Sequence, residues 1–224
     1  MAPRAKTRDR IIEASLALFN AQGERTVTTN HIAAHLGISP GNLYYHFANK
    51  QAIVAELFGR YEARVDQFLR LPPARPMQVE DKALYLEALL GAMWDYRFLH
   101  RDLEGLLDAD AALAQRYAGF AARCLQHARA IYQGFVEAGI LEMDGEQTEA
   151  LALNAWIVLT SWIRFLATAG AGAGQLDPVQ MRRGIYQVLA LESGFVASGA
   201  REAVAALQRQ YFVALDALLP KTDA

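Results

Sequence analysis

Between residues 28 and 50 the chain gathers groups able to grip a polyanion and read its bases: the hydroxyls of Thr28 and Thr29, the amide of Asn42, the phenols of Tyr44 and Tyr45, the imidazole of His46 and the ammonium of Lys50. An asparagine amide can pair bidentately with adenine in a major groove, and Gly41 beside it lets the backbone come close. Tyr44 shares that amino-terminal half of its segment, while Tyr45, His46 and Lys50 lie farther along, where phosphates pass. Free N–H groups at a helix start, flanked by the Thr28 and Thr29 hydroxyls, suit one phosphate. Bond-making chemistry finds no comparable set. His100 with Asp102, and Cys124 with His127, each lack the third group that a nucleophile, base and orienter would need. His31 and His35, four apart, can share a helix face but have no third ligand nearby. Neither an enzyme, nor a metal site, nor a cofactor is expected.

These groups require a helix, a tight turn and a second helix. Ile32, Ala33 and Leu36 recur at helical spacing, Gly37 supplies the positive φ that ends the first helix, and Ile38 plugs the turn. Ser39 then caps a second helix with Pro40 at its first position, where a missing N–H costs nothing. Leu43 and Phe47 face inward, which leaves Gly41, Asn42, Tyr44, Tyr45 and His46 wholly or partly outward.

The run Gly37-Ile38-Ser39-Pro40-Gly41-Asn42-Leu43-Tyr44-Tyr45-His46-Phe47-Ala48-Asn49-Lys50 resembles the signature of TetR-family transcriptional regulators. The resemblance extends upstream through Thr28-Thr29-Asn30-His31-Ile32-Ala33 and the amphipathic helix ending at Phe19, covering roughly residues 7 to 60. It implies an all-α homodimer that binds palindromic operator DNA, usually as a repressor, and whose carboxy-terminal domain often binds a small effector that releases DNA. It also implies DNA contacts at Thr28, Thr29, Asn30, Ser39, Tyr44, Tyr45, His46 and Lys50.

Upstream, Ile11, Ile12, Ser15, Leu16, Leu18 and Phe19 trace a first helix over Thr7 to Gln22, ended by Gly23, after a short basic arm, Met1 to Lys6. Asn49 can cap a fourth helix, Lys50 to Leu69, whose apolar Ile53, Val54, Leu57, Phe58, Tyr61, Val65 and Phe68 recur at three and four. Three prolines in Leu71 to Pro76 break it. The expected architecture is therefore all-α: a three-helix reading head at 1–49, a connecting helix at 50–70, and a helical ligand-binding and dimerisation domain at 71–224. Six further helices are expected near 79–97, 100–108, 110–138, 144–169, 178–197 and 200–219, with the Gly-Ala run 169–174 as a loop. Within this body all three tryptophans occur with polar Asn154, Thr160, Ser161 and Arg164. In TetR-like proteins the central helices enclose the effector, and Trp94, Phe98, Phe120, Cys124, Trp156 and Thr160 are the positions expected to line that cavity. Arg164, inside an apolar stretch, pairs with an acid, sits at a dimer seam or meets an anionic ligand; the sequence leaves the three open. The apolar residues of 144–169 and 178–219 exceed what one solvated bundle face needs, which points to a homodimer seam.

Composition agrees with a small basic reader on an acidic body. The net charge is −2, but residues 1–50 carry +3 and the remainder −5. The 53% hydrophobic content supports a packed core. Cys124 stands alone, which excludes an intrachain disulfide and fits a reducing cytoplasm. No signal peptide is recognisable, and the weakly charged stretch Ala150 to Ile163 is too short to span a bilayer, so no membrane partner is expected. Two readings follow: a regulator released by a small, mostly apolar effector, or a DNA binder controlled by a protein partner or acting architecturally.

Overall fold

The computed structural model describes residues 7–70, 75–169 and 177–218. Among them the elements are α1 (Thr7–Gln22), α2 (Thr29–Leu36), α3 (Pro40–His46), α4 (Lys50–Phe68), α5 (Val79–Asp95), α6 (Arg97–Arg101), α7 (Leu103–Ala109), α8 (Ala111–Glu137), α9 (Gly145–Ala169), α10 (Pro178–Glu192) and α11 (Arg201–Arg209). The basic arm, the Gly-Ala run from residue 170, and residues 71–74 of the proline-rich break lie outside the described residues.

The local signals for the head act as expected. Thr28 caps α2, its hydroxyl accepting from His31 N at 3.2 Å, and the His31 ring in turn accepts from Thr28 N. Gly37 ends α2 at φ +66°, a left-handed conformation that Gly adopts without penalty. Ser39 caps α3 through Asn42 N, with Pro40 in its first turn, and Asn49 caps α4 through Ala52 N at 2.8 Å. Ile11, Phe19, Ile32, Leu43, Ile53 and Leu57, none measurably exposed, close the small core.

The carboxy-terminal half departs from the sequence pattern in four places. The helix expected at 79–97 stops at Asp95, and Arg97–Arg101 forms a separate short helix. A second short helix, Leu103–Ala109, follows it where one helix was expected at 100–108. The helix expected to reach 197 ends at Glu192, because the chain turns through a 3₁₀ segment so that Val196 bridges to Leu141. The last helix ends at Arg209 and not near 219, giving way to irregular chain and a 3₁₀ turn at Leu215–Ala217. α9, at 25 residues with a mean hydropathy of 1.5 over 18 of them, is longer than the apolar stretch read from sequence, and is long and apolar enough to cross a membrane. Here its inner face, through Leu151, Leu159 and Ile163, packs into the body.

Head and body share one contiguous core, and α1 reaches the body directly. Phe19 and Phe98 pack with ring centroids 5.2 Å apart. Beside them the Asn20 amide donates to Asp95 O at 2.7 Å and accepts from Phe98 N at 3.1 Å, while Arg101 donates to Phe19 O at 2.8 Å. The break between α5 and α6 thus exposes two backbone groups that one head side chain satisfies. Asn20→Leu is isosteric enough to keep the packing but orphans both groups. It should lower unfolding free energy by about 2–4 kcal/mol, read by urea titration.

Candidate nucleic-acid interface and ligand cavity

The outward surface of the head is built by α2 and α3. Tyr45 is 85% exposed and Tyr44 49%, so Tyr45 projects freely while Tyr44 lies along the surface, its hydroxyl 3.0 Å from Thr29 Oγ1. That bond links the two helices at the face they present. Neither tyrosine enters the core. Tyr45 and His46 stack edge to face at 5.1 Å, and Asn30, Ser39, Gly41 and Asn42 are exposed around them. From Thr26 to Ala55 the chain contains no aspartate or glutamate. A phosphate approaching this face therefore meets helix amino termini, hydroxyls and imidazoles, while the carboxylates that flank the stretch, Glu24 and Glu56, are paired with Lys50 and Arg8.

Lys50 is placed differently from the free phosphate-side lysine read from sequence. Its ammonium donates to Glu24 O at 2.9 Å and Val27 O at 3.2 Å and pairs with Glu24 Oε1 at 2.8 Å. All three of its donors are thereby engaged inside the head, tying the start of α4 to the α1–α2 loop. Arg8 is likewise tied down, gripping Glu56 through both Nη atoms and lying over the Phe47 ring at 4.9 Å.

Of the six residues expected around an effector, Phe120, Cys124, Trp156 and Thr160 line one cavity of about 60 Å³, together with Tyr61, Met93 and a set of Leu and Ala side chains. The other two lie elsewhere. Phe98 is fully buried against Phe19 in the head–body junction, and Trp94 lines a surface pocket with Arg182 and Ile185. The short helix α6 explains the place of Phe98: by breaking after Asp95 the chain turns Phe98 toward α1, whereas Trp94, still inside α5, follows the buried Met93 and falls off that helix's buried face. Nor do the expected polar groups converge. Asn154 and Arg164 face outward, Arg164 pairing with Glu104 at 2.5 Å, and Thr160 donates its hydroxyl back to Trp156 O at 2.7 Å.

A second cavity of about 80 Å³ shares Leu69, Leu89, Ala128, Ala155 and Leu159 with the first. Besides Tyr85, whose hydroxyl donates to Arg70 O, its polar lining is Lys82, Glu192 and Tyr132, a set that sequence reasoning missed. Lys82 Nζ lies 2.5 Å from Glu192 Oε2, both side chains at most 3% exposed, and Tyr132 donates to Glu192 Oε1 at 3.1 Å. Burial and the adjacent Glu192 push the Tyr132 phenol well above its ordinary pKa. A signal was present: Lys82 is in phase with Leu86, Leu90 and Met93 on the buried face of α5, and Glu192 with Met181, Ile185, Val188 and Leu189 on α10.

Cys124, buried, has its thiol pushed up to about 12, which keeps it unreactive at neutral pH. Among the described residues no group of three or more His, Cys, Asp or Glu could hold a metal, and His31 and His35 lie exposed on α2 without a third partner.

The comparisons with known proteins cover both halves. The family model described as "Bacterial regulatory proteins, tetR family" matches residues 11–57, and that described as "Bacterial transcriptional repressor", of TetR, matches residues 60–204. The chain is similar to a TetR-family transcriptional regulator from Marinobacter aquaeolei VT8, with a TM-score of 0.87 and 47% identity over 93% of this chain and 100% of that one. It shares its fold with PfmR from Thermus thermophilus, at TM-score 0.62 and 22% identity, covering 82% and 97% of the two chains. Over 70 residues it is 34% identical to the HTH-type transcriptional repressor KstR2 of Mycolicibacterium smegmatis, covering 28% of this chain. That alignment spans about a third, 34%, of the length of KstR2.

His100 gives the junction between the cavity and the head a measurable pH signature. Its Nε2 lies 3.1 Å from the Tyr61 hydroxyl, and complete burial lowers its pKa from 6.5 to about 4. The unfolded chain takes up this proton near pH 6.5 and the folded chain only near pH 4, so stability falls as pH drops through that window. The expected loss from this residue is about 3 kcal/mol between pH 7 and about pH 4. His100→Gln should lose correspondingly less over the same interval, read by urea unfolding of both proteins at the two pH values.

Proposed function

Because the chain belongs to the TetR family and so is a DNA-binding transcriptional regulator, we propose that it is a homodimeric repressor that reads a palindromic operator with α2 and α3 and is released by a small, mostly apolar effector. In this reading residues 1–49 read DNA, α4 connects, and residues 71–224 bind the effector and dimerise. The observation that carries the release is the position of α4. Its first turn is locked into the head by Lys50, and Tyr61, three turns on, lines the cavity and bonds to His100 on α6. A molecule that fits the cavity better in one setting of α4 and α6 shifts the balance toward that setting. Moving the two heads apart or together then spoils their fit to successive major grooves, though no residue on either reading face has shifted within its own head.

On the reading face, Gly41, Asn42 and Tyr44 are assigned to base edges, and Thr28, Thr29, Asn30, Ser39, Tyr45 and His46 to phosphates and groove walls. Lys50 acts chiefly by positioning. Its engagement inside the head makes it a brace for α4, in place of the phosphate contact read from sequence. The effector positions are Phe120, Cys124, Trp156 and Thr160. The seam fits the outer face of α9, where Leu153 and Ile157 remain about half exposed one helical turn apart, together with Val179 and Leu191 on α10.

Asn42→Ala should relax sequence preference by about 1–3 kcal/mol at one base position, read by competition between operator variants. Tyr45→Ala should weaken binding to all sequences alike. Lys50→Ala should lower thermal stability while changing the salt slope of operator binding by clearly less than the one unit, roughly, that a lost phosphate contact brings. A full unit of slope with unchanged stability would return Lys50 to the DNA surface.

Ile157→Glu places a charge on the seam and should give a monomer in sedimentation at micromolar concentration. Palindrome binding should fall with it, since two-fold symmetry sets the recognition helices about 34–36 Å apart. A dimer with intact binding would move the seam off α9. Operator release by a purified protein partner, with no release by small molecules, would favour the partner-controlled reading.

A further inference from the structure

The buried charges of the larger cavity do more than hold α5 to α10. Replacing a buried ion pair by apolar side chains of similar size is often neutral or stabilising, so stability alone gives little reason for one here. This pair also lies in the wall of a cavity whose remaining lining is mostly Leu, Ile and Ala. Lys82 makes one hydrogen bond, to Glu192, and its ammonium stands 3.9 Å from the centroid of the Phe135 ring. Among the described residues no second acceptor reaches it. Glu192 is bonded through both oxygens, to Lys82 and Tyr132.

We propose that Lys82, Glu192 and Tyr132 form the polar end of the effector site and select a neutral, compact, apolar molecule carrying one hydroxyl or carbonyl oxygen, which accepts a hydrogen bond from Lys82 Nζ. The selection follows from charge balance. The pair is neutral as it stands, so a carboxylate ligand would leave one net negative charge against a mostly apolar lining, and an ammonium ligand one net positive charge; both are disfavoured without a further counter-ion. A ligand with no oxygen covers the ammonium and leaves its N–H unbonded, which is penalised more mildly. Size sets the second limit. The two adjoining cavities, at about 60 and 80 Å³, together approach the ~150 Å³ of an apolar cavity known to take up benzene. The body of the ligand is therefore of the order of a single six-membered ring with a short substituent.

The proposal rests on reading this cavity as the effector site, and the test separates the two. Four probes of one shape (toluene, benzyl alcohol, benzoate and benzylammonium) are titrated calorimetrically into the full-length protein. Benzyl alcohol should bind at least tenfold more tightly than toluene, with benzoate and benzylammonium weaker than either. Equal affinity for toluene and benzyl alcohol, tighter binding of a charged probe, or no binding by any of the four would overturn the proposal. The variant Lys82→Met/Tyr132→Phe/Glu192→Leu should retain toluene binding and reduce the preference for benzyl alcohol to less than twofold; an undiminished preference would also overturn it. If that variant does not fold, the ranking on the natural chain decides alone. Operator binding is followed in the same samples. The expected ranking without release of DNA supports this polar end and removes the release mechanism, whereas release by a compound that does not compete with benzyl alcohol keeps the mechanism and overturns the site.

Discussion

Asn20 sits in the last turn of α1 with its amide bonded on both sides to the break between α5 and α6, donating to Asp95 O and accepting from Phe98 N. Both partners are backbone groups freed because the chain stops one helix and starts another there, and each would be costly to bury unpaired. The head cannot turn on the body without giving up both bonds and the Phe19–Phe98 contact alongside them. Two routes therefore meet where head and body join: α1 through Asn20, and α4 through Tyr61 and its bond to His100. Both end on the same short helix, α6, which in turn packs against α9. A helix of five residues with so many partners has few positions available to it, which is the condition for a discrete switch.

The cavity side is built to be sensitive to what fills it. Tyr61 lies against Phe58, Tyr96, His100 and Phe120 with ring centroids 5.4–6.4 Å apart, so displacement of one ring is felt by the others. Packed interiors shift between a few arrangements and do not deform smoothly. An occupant that contacts Phe120 and Trp156 consequently acts on α4 through a chain of contacts a few ångströms each, with no need for a long-range route.

The head was legible in the sequence because its signals are local. Thr28, Gly37, Ser39, Pro40 and Asn49 each act within four residues of their own position, and each caps, starts or ends the expected helix. The body was legible as helices but not as an assembly. The break after Asp95 has no Gly or Pro to announce it, and its freed backbone groups are met by Asn20, 75 residues upstream of Asp95; it is this break that turns Phe98 away from the cavity. The early end of α10 likewise depends on Val196 finding Leu141, 55 residues away in sequence. Lys50 looked free because the acceptors that hold it, Glu24 and the Val27 carbonyl, are more than twenty residues upstream. Lys82 and Glu192 were readable as charges in phase with apolar stripes, yet their pairing spans 110 residues and appears only when α5 meets α10.

The central claim is that the contents of the cavity set the position of the heads. It is tested most directly by filling the cavity from within the chain: Ala155, in the wall of both cavities, is replaced by Leu. Spin labels placed by Ala48→Cys in the exposed turn after α3, in a Cys124→Ser background, report the distance between the two heads by pulsed electron spin resonance. The account predicts that Ala155→Leu shifts the distance distribution by several ångströms while the far-ultraviolet spectrum stays that of the parent. An unchanged distribution in a folded, cavity-filled variant would contradict it.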